Sequence, residues 1–201
     1  MFRRSIGKVV VVLLVLALLA AIVPAAMAKT GRVSKFGVYS GYSEALYDNW
    51  TRSSMYVEVR DGTRLAVDIF RPVYDNDQVV EEPLPVVFSA ERYVRATYSA
   101  AGMSTTLNAY PYAATLLQHG YVVAAADVRG TGASFGVFSG GTDMTEAYDL
   151  YDLTEWFAAQ PWCDGNVGMF GASYRGNNQY WAAMAAPPHL KCVFPEVSPF
   201  D

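Results

Sequence analysis

"GMFGASYRGNNQYW", Gly168–Trp181, sets a serine between glycines directly after an apolar run and ahead of a helix-forming stretch. A strand that ends in a tight turn and re-enters a helix projects Ser173 from the top of a sheet in a strained, exposed pose. The helix behind it brings a positive end and free N–H groups to any oxyanion formed there. Ser173 is therefore expected to attack an acyl carbon, with the Tyr174 backbone N–H as one oxyanion donor. The general nucleophile elbow reads G-x-S-x-G, whereas here the second glycine falls one place late, at Gly176, and Arg175 takes its position. The hexapeptide also fits an ordinary glycine-rich turn whose serine caps the helix.

Working outward, the stretch belongs to a run of alternating strands and helices. "GNVGMFG" is the strand before the serine, and "YRGNNQYWAAMAA" is a helix stopped by Pro187-Pro188. "KCVFPEV" follows as another strand. Upstream, "DMTEAYDLYDLTEWFAAQ" places Leu150, Leu153 and Phe157 on one helical face, with Asp143 as N-cap and Glu146 three positions on, a capping-box pattern. "YVVAAADVRG" and "LPVVFSA" are short apolar runs of the kind buried on both faces, and "STTLNAYPYAATLLQHG" holds a helix ending at Gly120. Further back, Met55–Arg60 and Arg64–Phe70 alternate around Asp61-Gly62, a hairpin signal, and Pro72 closes the second run. A hairpin followed by βα units predicts an α/β domain, its sheet parallel after the first members.

The chain begins differently. "MFRRSIGK", the unbroken apolar Val9–Val23 and the small residues Ala26 and Ala28 have the layout of a secretory signal peptide cut after Ala28. Fifteen apolar residues fall short of the roughly 20 that span a bilayer, which argues against the competing reading, an uncleaved anchor. The expected organisation is thus signal peptide 1–28, an extended lead-in over 29–54, and a domain over 55–201. Export to the periplasm or the medium follows, with the membrane met only in transit. Removing Arg3, Arg4 and Lys8 from 15 basic residues leaves 12 against 19 acidic ones, scattered without a basic stripe, so nucleic acid is not an expected partner. Cys163 and Cys192 flank predicted strands and are read as two unpaired thiols, although an exported chain permits their pairing.

The joint occurrence of G-x-S-Y-x-G, the preceding "WCDGNVGMFG", the earlier "DVRGTGAS" and the "VRDGTRLAVDIFRP" hairpin resembles the CocE/NonD family, which joins bacterial cocaine esterase, the α-amino-acid ester hydrolases and the X-Pro dipeptidyl-peptidases. In that family the late glycine and the tyrosine after the serine are the norm. The resemblance runs from about Met55 to Asp201 and implies an α/β-hydrolase fold with a Ser-Asp-His triad. It also implies that the hydroxyl of Tyr93, in "SAERYVR", supplies the second oxyanion donor; otherwise Tyr93 packs at the base of its loop. Asp127 and Arg129 are expected in a structural ion pair or loop anchor, since arginine does not titrate usefully. Asn177, Asn178 and Gln179 are read as polar groups of the helix surface or its packing, and Tyr180 and Trp181 as core.

A triad in this fold runs Ser, then acid, then His. After Ser173 the only acids are Glu196 and Asp201, and the sole histidine, His189, precedes both. His189 reads as a loop histidine, and His119 as a cation at a helix C-terminus. The expectation is an N-terminal portion of the fold, through about its sixth strand. Its triad acid and histidine would then lie outside these residues, leaving the 201-residue chain inactive alone and "KCVFPEV" with an aggregation-prone open edge. The substrate is expected to be a small ester or peptide, ester and X-Pro amide remaining open. No metal or nucleotide cofactor is indicated, because "RGTGASFG" lacks the lysine of a phosphate loop. A second reading is a non-catalytic exported interaction module on a hydrolase scaffold.

Overall fold

A computed structural model describes residues 43–140 and 143–199. The expected signal peptide and the lead-in up to residue 42 lie outside them. The hairpin consists of β1 (Asn49–Glu58) and β2 (Arg64–Val73), antiparallel with Glu58 opposite Arg64. Gly62 makes its turn at φ +81°, donating to the Val59 carbonyl at 2.8 Å, while Asp61 Oδ1 accepts the Thr63 N–H at 3.0 Å. Both strands outrun their alternating patterns. β1 starts six residues before Met55 and lays Trp50 opposite Pro72, so Pro72 sits within β2 instead of closing it. Trp50 packs on the core there, which is why the strand continues past the point where alternation fades.

The rest of the chain runs β3 (Leu84–Glu91), β4 (Ala96–Ser99), β5 (Gly102–Thr105), α1 (Thr106–Ala109), α2 (Pro111–Gln118), β6 (Val122–Asp127), α3 (Thr145–Ala158), β7 (Cys163–Ala172), α4 (Tyr174–Ala185) and β8 (Leu190–Glu196). Six strands form one sheet in the order β1-β2-β6-β3-β7-β8, in which β6, β3, β7 and β8 are mutually parallel and β2 meets β6 antiparallel. The chain lays β6 on one flank of β3 and then crosses through α3 to place β7 on the other. The order reverses at β3, and ligands of open α/β sheets bind at such a reversal, outside the carboxyl ends of the strands. The segments leaving β3 and β7 carry Tyr93 and Ser173.

Helices cover both faces. Val122, Ala124 and Ala126 of β6 point into a core with Phe88, Leu150 and Phe157, while Val123 faces the second core with Phe70 and Leu117. That two-sided burial explains the unbroken apolar sequence of β6. The spacing of Leu150, Leu153 and Phe157 does bury one face of α3. The capping box does not form. α3 starts at Thr145 behind Met144, Asp143 Oδ1 accepts the Thr145 N–H at 2.8 Å, and Glu146 turns inward to meet Tyr174. A buried hydroxyl partner outcompetes a solvent-facing cap for that carboxylate.

The ribbon β4–β5 has no counterpart in the sequence pattern. Its strands are four residues each and leave Tyr98 86% exposed, so no alternation marks them. Both cysteines are free thiols, Cys163 buried and Cys192 exposed. Among the described residues β8 pairs only with β7 and shows Phe194 to solvent.

Candidate active site

β7 ends at Ala172, and Ser173 follows at φ 59°, ψ −125°, a conformation sparsely populated for a residue with a Cβ. Backbone bonds on both sides hold it there. Its N–H donates to the Glu196 carbonyl at 2.9 Å, and its own carbonyl accepts from Gly176 (2.8 Å) and Asn177 (2.9 Å). Tyr174 is the first residue of α4, where an N–H has no intrahelical acceptor. The Ser173 side chain is exposed, and its Oγ lies 3.4 Å from the Tyr93 hydroxyl. The fold therefore brings together the three residues singled out in the sequence: a hydroxyl in a strained turn, the first N–H of a helix and a phenol from the neighbouring strand end.

The departure from G-x-S-x-G has a packing cause. Arg175, in place of the usual glycine, runs inward to pair with Glu91 Oε2 at 2.7 Å and donates to the Tyr110 hydroxyl at 2.8 Å. Its Cβ would lie 2.7 Å from any Cβ on Gly171, whose φ is +137°, so the glycine before the serine accommodates this arginine. Gly176 is needed for another reason. A Cβ there would fall 2.8 Å from the Glu196 carbonyl oxygen and 2.9 Å from Ser198 Cβ, where α4 presses on the end of β8.

Several residues support the site without any local sequence signal. Glu91 is buried at the end of β3, bonded to Thr106 Oγ1 at 2.6 Å and to Arg175; burial pushes its carboxyl up, against the pull of Thr106 and Arg175. Tyr110 accepts the Ala172 N–H at 2.9 Å. Arg95 joins fully buried Asp68, at 3.1 Å, to Asp127, and the Arg95 N–H donates to Asp127 Oδ1 at 2.7 Å. This ties down the loop that presents Tyr93. Asp127 also accepts the Ala133 N–H at 2.9 Å, so it anchors two loops at once. Arg129 binds Asp149 and Asp61, at 2.6 and 2.7 Å, in the structural role expected of it. In the core, the Tyr174 hydroxyl donates to Glu146, whose carboxyl burial pushes up to about 7.

Of the α4 amides, Asn178 and Gln179 are fully buried, Asn178 donating to the Ala90 carbonyl at 2.9 Å. Trp181 is half-buried, edge-on to Tyr174 at 5.6 Å between centroids, and Tyr180 is half-buried too. Neither histidine approaches Ser173. His189 precedes β8 beside Val167, six residues down β7, or about 20 Å at strand rise; its Nδ1 lies 2.7 Å from Glu155. His119 caps the far end of α2. Among the described residues no cluster of His, Cys, Asp and Glu is disposed to hold a metal ion.

A strand-turn-helix serine above a sheet of this order defines the α/β-hydrolase class. Residues 61–201 match the family model described as X-Pro dipeptidyl-peptidase (S15 family), and the chain belongs to that family. It is 37% identical to cocaine esterase of Rhodococcus sp. over 149 residues, 74% of this chain and 24% of the esterase. A CocE/NonD family hydrolase from Staphylococcus aureus superposes with a TM-score of 0.58 at 32% identity, over 72% of this chain and 27% of that one. An α-amino-acid ester hydrolase shares the fold, with a TM-score of 0.60 at 22% identity over 89% of this chain and 29% of that one. The chain spans about a quarter of the length of these relatives.

Proposed function

We propose that this chain carries the nucleophile and oxyanion hole of an exported serine hydrolase that cleaves an ester or amide through an acyl-enzyme. The observation that carries this is the strained, exposed Ser173 with the Tyr93 hydroxyl 3.4 Å from its Oγ. In the reaction Ser173 Oγ forms a bond to the substrate carbonyl carbon and gives its proton to a base. The carbonyl oxygen becomes an oxyanion that accepts from the Tyr174 N–H and the Tyr93 hydroxyl. Collapse expels the alcohol or amine, which takes up the proton, and water then frees the acid and regenerates Ser173.

The base and its orienting acid come from outside residues 43–199, because His189 and His119 sit away from Ser173. The 201-residue chain alone is accordingly inactive. Export rests on the signal-peptide layout of residues 1–28. The second reading is an exported interaction module that kept the scaffold without the chemistry, since a fold by itself does not carry a function.

A fluorophosphonate probe separates these readings. It should label the whole gene product at Ser173 and leave a Ser173→Ala variant and residues 1–201 alone unlabelled. No labelling of the whole product favours the module. Strong labelling of residues 1–201 overturns the assignment of the base to an outside segment.

A further inference from the structure

The arginines packed around the site are neutralised in pairs, with one exception. Arg95 lies between Asp68 and Asp127, Arg175 on Glu91, and Arg129 between Asp61 and Asp149. Arg92 has no carboxylate partner among the described residues. It is exposed, and its guanidinium carbon stands 5.3 Å from the Tyr93 ring centroid and 5.2 Å from that of Tyr174. Tyr93 is the residue whose hydroxyl lies 3.4 Å from Ser173 Oγ, and Tyr174 follows Ser173 in the chain, its ring buried with its hydroxyl on Glu146.

The backbone fixes this placement. The Glu91 carbonyl accepts the Val128 N–H at 2.9 Å, and Arg95 is bound to Asp127, so Arg92 sits in a three-residue span tied at both ends. Val94, within it, is held at φ 76°. A guanidinium held by aromatic faces keeps the N–H donors at its rim, the edge that matches a carboxylate.

Resting on the acyl-transfer reading of Ser173, we propose that Arg92 is an anion-binding subsite, so that the preferred acyl substrates carry a carboxylate a few bonds from the scissile carbonyl. The same charge repels a cation in that place. It therefore selects carboxylate-bearing esters or amides over X-Pro peptides, whose free ammonium would sit close to the reacting centre.

The test compares mono-p-nitrophenyl glutarate with p-nitrophenyl valerate, acyl chains of equal length that differ in a terminal carboxylate, and adds Gly-Pro-p-nitroanilide. All are assayed on the whole gene product against its Ser173→Ala variant. Glutarate should exceed valerate in kcat/KM, and the ratio should fall as ionic strength rises. Arg92→Gln should lower that ratio about tenfold and Arg92→Lys should restore part of it. An unchanged ratio in Arg92→Gln, or a wild-type preference for Gly-Pro-p-nitroanilide, overturns the anion subsite while leaving the hydrolase reading intact. Absence of Ser173-dependent cleavage of all three overturns the hydrolase reading and the subsite with it.

Discussion

The side-chain amide of Gln179 grips the backbone of Phe194 at both polar atoms, accepting its N–H at 2.8 Å and donating to its carbonyl at 3.3 Å. The same amide donates to Gly171 O at 3.3 Å and Arg175 O at 2.8 Å, so one buried group links β7, α4 and β8 through residues on either side of Ser173. Gln179→Leu strands these backbone groups and should cost about 1–3 kcal/mol. Gln179→Glu should cost more, since it turns a carboxylate towards three carbonyls. Urea unfolding of both variants checks the order, and equal stability to wild type would remove the clamp.

Gly176→Ala tests the late glycine. The added methyl meets the Glu196 carbonyl oxygen and Ser198, both backbone-fixed or close to it, so α4 must shift away from β8. A loss of about 1–3 kcal/mol is expected, as for an overpacked core. Because the Ser173 N–H bonds to that same Glu196 carbonyl, amide exchange at Ser173 should quicken as well.

Tyr93→Phe removes one hydroxyl from an exposed side chain. Stability should hold within about 0.5 kcal/mol. If the phenol serves the oxyanion, kcat of the whole gene product should fall about 100-fold or more with KM little altered. A fall confined to KM would place Tyr93 in binding alone.

Glu146 predicts a pH effect. Its folded pKa, about 7, lies above the ordinary carboxylate value because burial disfavours the charge, with the Tyr174 hydroxyl opposing. As pH rises from about 4.5 to 7, the unfolded chain releases this proton while the folded chain keeps it, so stability declines across that window and no further above it. Glu146→Gln lacks the titration. Its stability relative to wild type should rise between pH 4.5 and 8 by up to about 3 kcal/mol, read from urea midpoints. A constant difference across this range would refute the assignment.

Much of the site could be read along the chain because its chemistry is local. Ser173, the Tyr174 N–H and the late Gly176 lie within four residues, and a strand-turn-helix motif carries its own signature. Tyr93 came only from family resemblance, since nothing in its immediate neighbours sets it apart from the chain's other tyrosines. Glu91, Arg95 and Tyr110 carry no local signal, and Gln179 reads only as a polar group of its helix. Their partners stand at sequence distances that no periodic pattern reports, such as Glu91 with Arg175 across 84 residues. The capping pattern places Glu146 at a cap because it reports three neighbours and not a hydroxyl 28 residues away.

The sequence by itself determined the α/β order of elements, the hairpin at Asp61-Gly62, the faces of α3 and the elbow, all consequences of periodicity and of turn chemistry over a few residues. Only the tertiary structure decided that β3 becomes the point where strand order reverses, which sets the Tyr93 hydroxyl beside Ser173. It also decided which charges pair with one another and that Arg92, among the described residues, meets two aromatic rings and no carboxylate. Strand order and ion pairing depend on burial and distance between segments far apart in the chain, quantities that local pattern does not encode.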